Sequence, residues 1–121
     1  MAMKKILVVD DTAAHLQQMK EIVSEAGYQV ITASSGREAV EKTKAEKPNL
    51  VFLDIVMDDL DGYGACREIT QDADTREIPV VFVSTKNQRA DKIWAEKQGA
   101  KGLISKPIDS AEIIKHLDAH I

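Results

Sequence analysis

Short apolar runs alternate with longer amphipathic segments five times along this chain. The apolar runs are Ile6–Val9, Val30–Ala33, Leu50–Leu53, Val80–Val83 and Leu103–Ile104. They contain many β-branched residues and show no polar alternation, which is typical of strands that are covered on both faces, as in a parallel sheet. The pattern therefore predicts five buried parallel strands.

Helix signals fill the intervals between the runs. The first predicted helix has an apolar face that Gly27 ends as a left-handed cap; the residues of that face are Leu16, Met19, Ile22, Val23 and Ala26. Ser35 and Glu38 have the spacing of a capping box for the second helix, and Pro48 ends it.

Three further helices follow in the second half of the chain. The third is predicted from about Tyr63 to Gln71, and the fourth from about Ala90 to Gln98, where Gly99 ends it. Asp109 or Ser110 caps the fifth. The predicted apolar stripe of the fifth helix consists of Ile113, Ile114, Leu117 and Ile121.

Five strand–helix units in series with right-handed crossovers allow few topologies. We expect one α/β domain over residues 1–121, a doubly wound, flavodoxin-like (βα)5 fold with a five-stranded parallel sheet of order 2-1-3-4-5. No linker, repeat or low-complexity segment interrupts the pattern, and no output domain is expected. In this order strands 1 and 3 are neighbours, and ligands bind beyond their carboxyl ends.

Carboxylates follow both of these strands. Asp10 and Asp11 come directly after the first apolar run, and Asp54 comes directly after the third. Three carboxylates this close repel one another unless a cation joins them. Mg²⁺ suits such a site because it accepts a few carboxylates and leaves positions for water and phosphate oxygens. The sequence therefore predicts a magnesium site at this edge.

The remaining strand ends supply complementary groups. Ser84 and Thr85 end the fourth run, and Lys106 with Pro107 follows the fifth. A hydroxyl and an ammonium opposite a metal ion neutralise the oxygens of a transferring phosphoryl group from both sides. We expect Asp54 to be the nucleophile because it lies on the central strand.

Each of these residues also has a plainer interpretation. Asp11 could cap the first helix, Asp61 and Gly62 could form a turn, and Lys106 could be a solvated loop lysine. The joint placement of an acid pair, an acid, a hydroxyl and a lysine at four strand ends favours the functional interpretation.

Other motifs fit less well. The loop after Asp54 resembles an EF-hand loop in part, but Met57 stands where the first ligand belongs and a strand precedes it. A Walker phosphate loop is absent, and a dehalogenase-type phosphatase would have a second Asp where this chain has Val56. Cys66 lies within a predicted helix and is expected to be a small buried residue.

Composition narrows the class of protein. Sixteen basic and twenty acidic residues give a net charge of −4, and no basic stripe indicates nucleic-acid binding. The single cysteine excludes an internal disulfide and fits a reducing compartment. No apolar segment is long enough for a signal peptide or a membrane span, so we expect a cytoplasmic protein without membrane insertion. We also expect the chain to be a monomer.

The blocks "ILVVDDT", "LVFLDIVMDDLDG", "IPVVFVST" and "GLISKPI" together resemble the signature of the response-regulator receiver domain of two-component signalling. The resemblance implies that Asp10, Asp11, Asp54 and the backbone of Val56 hold Mg²⁺. It also implies that Asp54 accepts a phosphoryl group from a histidine kinase and that Ser84 and Lys106 bind the phosphoryl oxygens.

The segment "DKIWAEKQGAKG" further resembles stand-alone receivers of type IV pilus (twitching-motility) chemosensory systems. Such a receiver is not an enzyme acting on outside substrates; it signals to a downstream motor or adaptor protein by contact, or serves as a phosphate sink. The alternative from another class is a Mg²⁺-dependent phosphohydrolase, which would need a substrate pocket and a positioned base.

Two positions depart from the usual receiver pattern. Asp58 stands where most members have Pro, and Leu103 stands where an aromatic residue usually carries the signal. Trp94 could serve the output face or be buried. The three histidines, His15, His116 and His120, are expected to be solvated, without acidic or metal partners.

Overall fold

The computed structural model describes residues 3–121, in which five strands alternate with five helices. The strands are β1 (Lys5–Val9), β2 (Gln29–Ala33), β3 (Leu50–Leu53), β4 (Val80–Ser84) and β5 (Gly102–Ser105). The helices are α1 (Ala13–Glu25), α2 (Gly36–Glu46), α3 (Gly62–Gln71), α4 (Arg89–Lys97) and α5 (Ser110–His120). Each predicted element is present, and the predicted bounds differ by about one residue.

All strand pairs are parallel, and the sheet order is β2-β1-β3-β4-β5. This confirms the predicted doubly wound α/β fold. Val9 is in register with Leu53 across the β1–β3 pair, and Ser84 with Ser105 across the β4–β5 pair. The carboxyl ends of these four strands therefore meet at one edge of the sheet.

The core lies in two layers, one on each face of the sheet. One layer packs side chains of α2, α3 and α4, among them Val40, Ile69 and Ala95, against alternate strand residues. The other layer packs α1 and α5, with Val23 and Leu117, against the remaining strand residues. The inner strands β1, β3 and β4 are apolar and buried almost throughout, whereas the edge strands β2 and β5 are only partly buried. Each fully buried large side chain contributes about 1.5–3 kcal/mol.

Polar caps set the helix ends. Ser35 is the N-cap of α2, where its hydroxyl accepts a hydrogen bond from the Glu38 N–H at 3.1 Å. The return bond of the predicted capping box differs by one residue: the Glu38 carboxylate accepts from the Ser34 N–H at 2.7 Å and not from the Ser35 N–H. Asp109 caps α5 by accepting from the Ala111 N–H at 3.0 Å, which decides between the two predicted caps.

The predicted apolar stripe of α5 is partly wrong. Ile113 and Leu117 are buried, whereas Ile114 is 42% and Ile121 is 40% exposed. A helix that lies on a sheet buries a narrow stripe, and these two residues fall outside it. None of the helices within residues 3–121 has the length and apolarity that crossing a membrane requires.

Candidate functional site

Asp10 and Asp54 lie side by side at the carboxyl edge of the sheet. The Asp54 N–H donates to the Val9 carbonyl at 3.1 Å, and the Asp10 N–H donates to the Ala33 carbonyl at 3.2 Å. The first bond continues the β1–β3 ladder one step past the pair Val9 and Leu53, and the second continues the β1–β2 ladder one step past Val9 and Ala33. The sheet itself therefore fixes the distance between the two aspartates.

The three predicted metal ligands converge. Asp10, Asp11 and Asp54 each present one carboxylate oxygen, and these oxygens lie within 4.8 Å of one another. Asp10 and Asp54 are buried, and Asp11 is exposed at the rim. Buried carboxylates need a counter-charge or hydrogen bonds to remain ionised.

Lys106 supplies that counter-charge. Its ammonium lies 2.8 Å from Oδ2 of Asp10 and 3.1 Å from Oδ2 of Asp54, and its side chain is only 6% exposed. It is therefore not a solvated loop lysine. The Lys106 N–H donates to the Ser84 carbonyl at 3.0 Å, which extends the β4–β5 pairing to this residue. The Lys106–Pro107 peptide bond is cis.

The second oxygen of each buried aspartate accepts a backbone N–H. Oδ1 of Asp10 accepts from Thr12 at 2.9 Å, and Oδ1 of Asp54 accepts from Ile55 at 2.7 Å. Thr12, not Asp11, is the N-cap of α1, and no side chain caps that helix. The capping interpretation of Asp11 is therefore wrong, and its carboxylate is available to a ligand at the rim.

Ser84 ends β4 at the same edge. Its side chain is fully buried, and its hydroxyl accepts from the Lys86 N–H at 3.2 Å. Thr85, the neighbouring hydroxyl, is exposed. Of the two hydroxyls named from the sequence, Ser84 is therefore the one that the core orients.

The loop between β3 and α3 is fastened at two points. The Asp59 carboxylate accepts from the N–H groups of Gly36 and Arg37 at 3.2 and 3.3 Å, at the start of α2. Bonds from backbone N–H groups, that of Leu60 first, hold the pKa of Asp59 below its usual range. Asp61 caps α3 by accepting from the Gly64 N–H at 2.8 Å, so its structural role is that of a helix cap and not of a turn residue.

His15 corrects the sequence interpretation. Its Nδ1 lies 2.9 Å from the Lys106 ammonium and 3.7 Å from Oδ2 of Asp10, so it is not a solvated residue without acidic partners. The sequence did contain a signal. His15, Met19 and Val23 are spaced four residues apart, and Met19 and Val23 form the buried face of α1. One turn before Met19 the same face of α1 presents His15, at the carboxyl edge of the sheet.

The other two histidines lie on α5, away from this site. The rings of His116 and His120 stack with centroids 5.7 Å apart. His116 is half-buried, and burial, followed by the neighbouring His120, lowers its pKa. The expectation that His116 is fully solvated is therefore also wrong.

Aromatic residues connect the site to α4. The Tyr63 ring meets Phe82 edge-on with centroids 5.4 Å apart and Trp94 with centroids 6.4 Å apart. Trp94 is 48% exposed, which favours its surface interpretation over burial. Leu103 is half-buried and packs against the core layer that contains Tyr63. Cys66 is buried as predicted, and burial raises its pKa to about 12.

The donor set fits Mg²⁺. Carboxylate oxygens are hard ligands, and only three acids are grouped at this edge of residues 3–121, which suits an ion that retains several waters. Lys106 competes with a cation for the oxygens of Asp10 and Asp54. A cation bound by these carboxylates would weaken the two ion pairs, which would make the ammonium more available to an anion.

Comparison with known proteins gave consistent matches. The family model described as the response regulator receiver domain matches residues 6–118. Protein PilH of Pseudomonas aeruginosa is 39% identical over 117 residues, which are 97% of each chain. The structure of the chemotaxis protein CheY4 of Vibrio cholerae has a TM-score of 0.92 at 27% identity and covers 99% of this chain and 100% of its own.

A further match is the crystal structure of the CheX–CheY–BeF3–Mg²⁺ complex from Borrelia burgdorferi. Its TM-score is 0.90 at 28% identity, over 96% of this chain and 87% of the matched chain.

Proposed function

This chain belongs to the response regulator receiver family of two-component, chemotaxis-type signalling, and we propose that Asp54 is its phosphoryl acceptor. The single observation that carries the proposal is the placement of the Lys106 ammonium 3.1 Å from Oδ2 of Asp54, inside a cluster of three carboxylates. A buried ammonium beside a nucleophilic oxygen is suited to an incoming group with several anionic oxygens.

The proposed reaction is transfer from the phosphohistidine of a histidine kinase. A carboxylate oxygen of Asp54 forms a bond to phosphorus as the phosphorus–nitrogen bond breaks. The imidazole of the kinase leaves with the electron pair of that bond and takes up a proton. Asp54 is the best placed acceptor because it follows the central strand β3 and its other oxygen is held by the Ile55 N–H.

We assign Mg²⁺ to Asp10, Asp11, Asp54 and the backbone carbonyl of Val56. When bound, the ion neutralises the negative charge that the phosphoryl oxygens and the carboxylates bring together. Val56 lies two residues after Asp54, in the loop that Asp59 and Asp61 fasten.

Ser84 and Lys106 complete the proposed site. The Lys106 ammonium pairs with one phosphoryl oxygen, and the Ser84 hydroxyl, while still accepting from the Lys86 N–H, donates to another. The loop that follows Ser84 then moves with the hydroxyl. This movement turns a local charge change into a change at the surface.

We propose that the whole chain of 121 residues acts as the receiver and passes its signal by protein contact or serves as a phosphate sink. The similarity to PilH over 97% of both chains supports a place in a type IV pilus pathway. The partners would be a histidine kinase and a downstream motor or adaptor protein.

The test is phosphorylation by acetyl phosphate with Mg²⁺, followed by intact-mass spectrometry. The wild-type chain should gain one phosphoryl group that hydroxylamine removes, as expected for an acyl phosphate. Asp54→Asn should gain none, whereas Asp58→Asn, in the adjacent loop, should behave like the wild type. A phosphoryl group on Asp58, Asp59 or Asp61 would refute the assignment.

A further inference from the structure

We propose that His15 is a positioning residue for Lys106: its neutral imidazole holds the ammonium at the carboxyl edge when other ligands occupy the two buried aspartates. This inference rests on the proposed phosphoryl-acceptor function. The other residues of the proposed site lie at strand ends or in the loop after β3, whereas His15 lies on α1.

The contacts of the ammonium support this role. A lysine ammonium has three N–H donors and no acceptor. Around Lys106 stand three acceptors: Oδ2 of Asp10 at 2.8 Å, Oδ2 of Asp54 at 3.1 Å and Nδ1 of His15 at 2.9 Å. The two carboxylates accept two of the three N–H groups, and Nδ1 of His15 accepts the third.

The geometry also assigns the proton on the ring. Because the ammonium only donates, Nδ1 must present its lone pair, and the proton of the neutral ring is on Nε2. The 3.7 Å between Nδ1 and Oδ2 of Asp10 is longer than a hydrogen bond. A charged imidazole at this position would instead place its Nδ1–H against the Lys106 ammonium.

The backbone holds His15 in place. It lies in the first turn of α1, whose start is fixed by the bond from the Thr12 N–H to Oδ1 of Asp10. The buried residue Met19 lies one turn further along the same face. The imidazole is therefore carried by a helix that is packed on the sheet, not by a loop.

The role becomes distinct when the carboxylates are engaged. A cation at Asp10 and Asp54 takes the oxygens that hold Lys106, and the neutral imidazole does not compete for that cation as strongly as a carboxylate would. His15 then keeps the ammonium near Asp54, where an anionic group arrives. Loss of the imidazole should therefore weaken anion binding without weakening cation binding.

The first measurement is the ring tautomer. A long-range ¹H–¹⁵N spectrum of the wild-type chain, at a pH where the ring is neutral, should show His15 with an unprotonated Nδ1 and a protonated Nε2. Lys106→Met should remove this preference. A protonated Nδ1 in the neutral ring of the wild-type chain would overturn the inference.

The second measurement separates the two ligands. Mg²⁺ and beryllofluoride are titrated calorimetrically into the wild type, His15→Leu and His15→Asn, with His120→Leu as a matched histidine control. His15→Leu should weaken beryllofluoride binding about five- to tenfold, which corresponds to the net contribution of a typical hydrogen bond. Its Mg²⁺ affinity should not fall. His15→Asn, whose amide oxygen can accept in place of Nδ1, should recover most of the loss.

The outcomes distinguish this inference from the proposed function. Equal beryllofluoride affinity in His15→Leu and the wild type would overturn the positioning role. Parallel losses of Mg²⁺ and beryllofluoride binding would also overturn it, because they indicate general damage to the site. Failure of the wild-type chain itself to bind beryllofluoride would instead refute the proposed function, and the tautomer would still test the contact.

Discussion

The phenolic oxygen of Tyr63 lies 3.3 Å from Oδ1 of Asp91 and thereby joins α3 to the first turn of α4. The other oxygen of Asp91 accepts from the Gln88 N–H at 3.1 Å, and the Lys86 ammonium lies 3.9 Å from Oδ1. One carboxylate thus contacts both the loop that follows Ser84 and a ring of the core. In a chain with Leu103 at the usual aromatic position, this contact offers a route from the site to α4.

Tyr63→Phe tests that route, because it removes the hydroxyl and keeps the ring. Addition of beryllofluoride and Mg²⁺ to the wild type should change amide hydrogen exchange through residues 84–94, and in the variant the change should be weaker beyond Gln88. Tyr28→Phe is the control for loss of a phenolic oxygen elsewhere. Changes confined to residues 54–62 in the wild type would identify the chain as a phosphate sink.

The ionisation of Tyr63 should be visible at high pH. Burial first, and then the charge and hydrogen bond of Asp91, raise its pKa from 10.0 to about 12. Absorbance titration of the folded chain should therefore show one tyrosine that ionises near this value and is absent in Tyr63→Phe.

The same shift sets the pH dependence of stability. A raised pKa means that the unfolded chain loses this proton first, so unfolding becomes easier as pH rises from 10 towards 12. The contribution of Tyr63 to the free energy of unfolding is intact below pH 10. Above pH 10 it falls by up to about 1.4 kcal/mol per pH unit. Urea unfolding of the wild type should show this loss, and Tyr63→Phe should lack it.

Asp11→Ala and Lys106→Met should affect Mg²⁺ binding in opposite directions. Asp11→Ala removes one of the three clustered carboxylates, the exposed one, so Mg²⁺ affinity should fall about tenfold or more. Lys106→Met removes the ammonium that competes for Asp10 and Asp54, so Mg²⁺ affinity should rise. Calorimetric titration measures both. Unchanged affinity in Asp11→Ala would refute its assignment as a ligand.

Gly36→Ala should destabilise the fold, because an added Cβ would lie 1.7 Å from the Leu60 carbonyl oxygen. Overpacking of this kind costs about 1–3 kcal/mol, and the helix preference of Ala offsets about 0.5–1 kcal/mol of it. Gly64→Ala is the matched control, since its Cβ would meet a movable Leu60 methyl at 2.7 Å. Equal urea midpoints for the two variants would contradict this account.

The strands and the three clustered aspartates were predictable from sequence for one physical reason. Continuous apolar runs mark strands buried on both faces, and the polar residue after each run must lie at the carboxyl edge. Asp10, Asp54 and Ser84 follow from that rule once the sheet order is set, and Lys106 lies one residue further, after Ser105. Their roles in phosphoryl transfer stay predictions until the labelling experiment is done.

The features that sequence reasoning missed depend on contacts between helices or loops and the sheet edge. The position of His15 depends on the rotation of α1 about its axis, which the apolar face of that helix defines only when it is extended by one turn. The bonds of Asp59 to the start of α2 join residues 22 and 23 positions apart, and no local pattern marks such a pair. The exposure of Ile114 likewise depends on how deeply α5 sits on the sheet.

Lys106 and Asp10 are 96 positions apart in the chain. Their ion pair joins the end of the edge strand β5 to the end of β1, which lies inside the sheet. Until β5 docks, the edge holds three carboxylates and lacks the ammonium that balances two of them. Closing a loop of this length has an entropic cost that the contacts of the completed sheet must offset. The ion pair forms only in the completed sheet, because Lys106 directly follows β5, the last strand in the sequence. The proposed phosphoryl-acceptor site is therefore complete only in a chain whose carboxyl-terminal strand has joined the sheet.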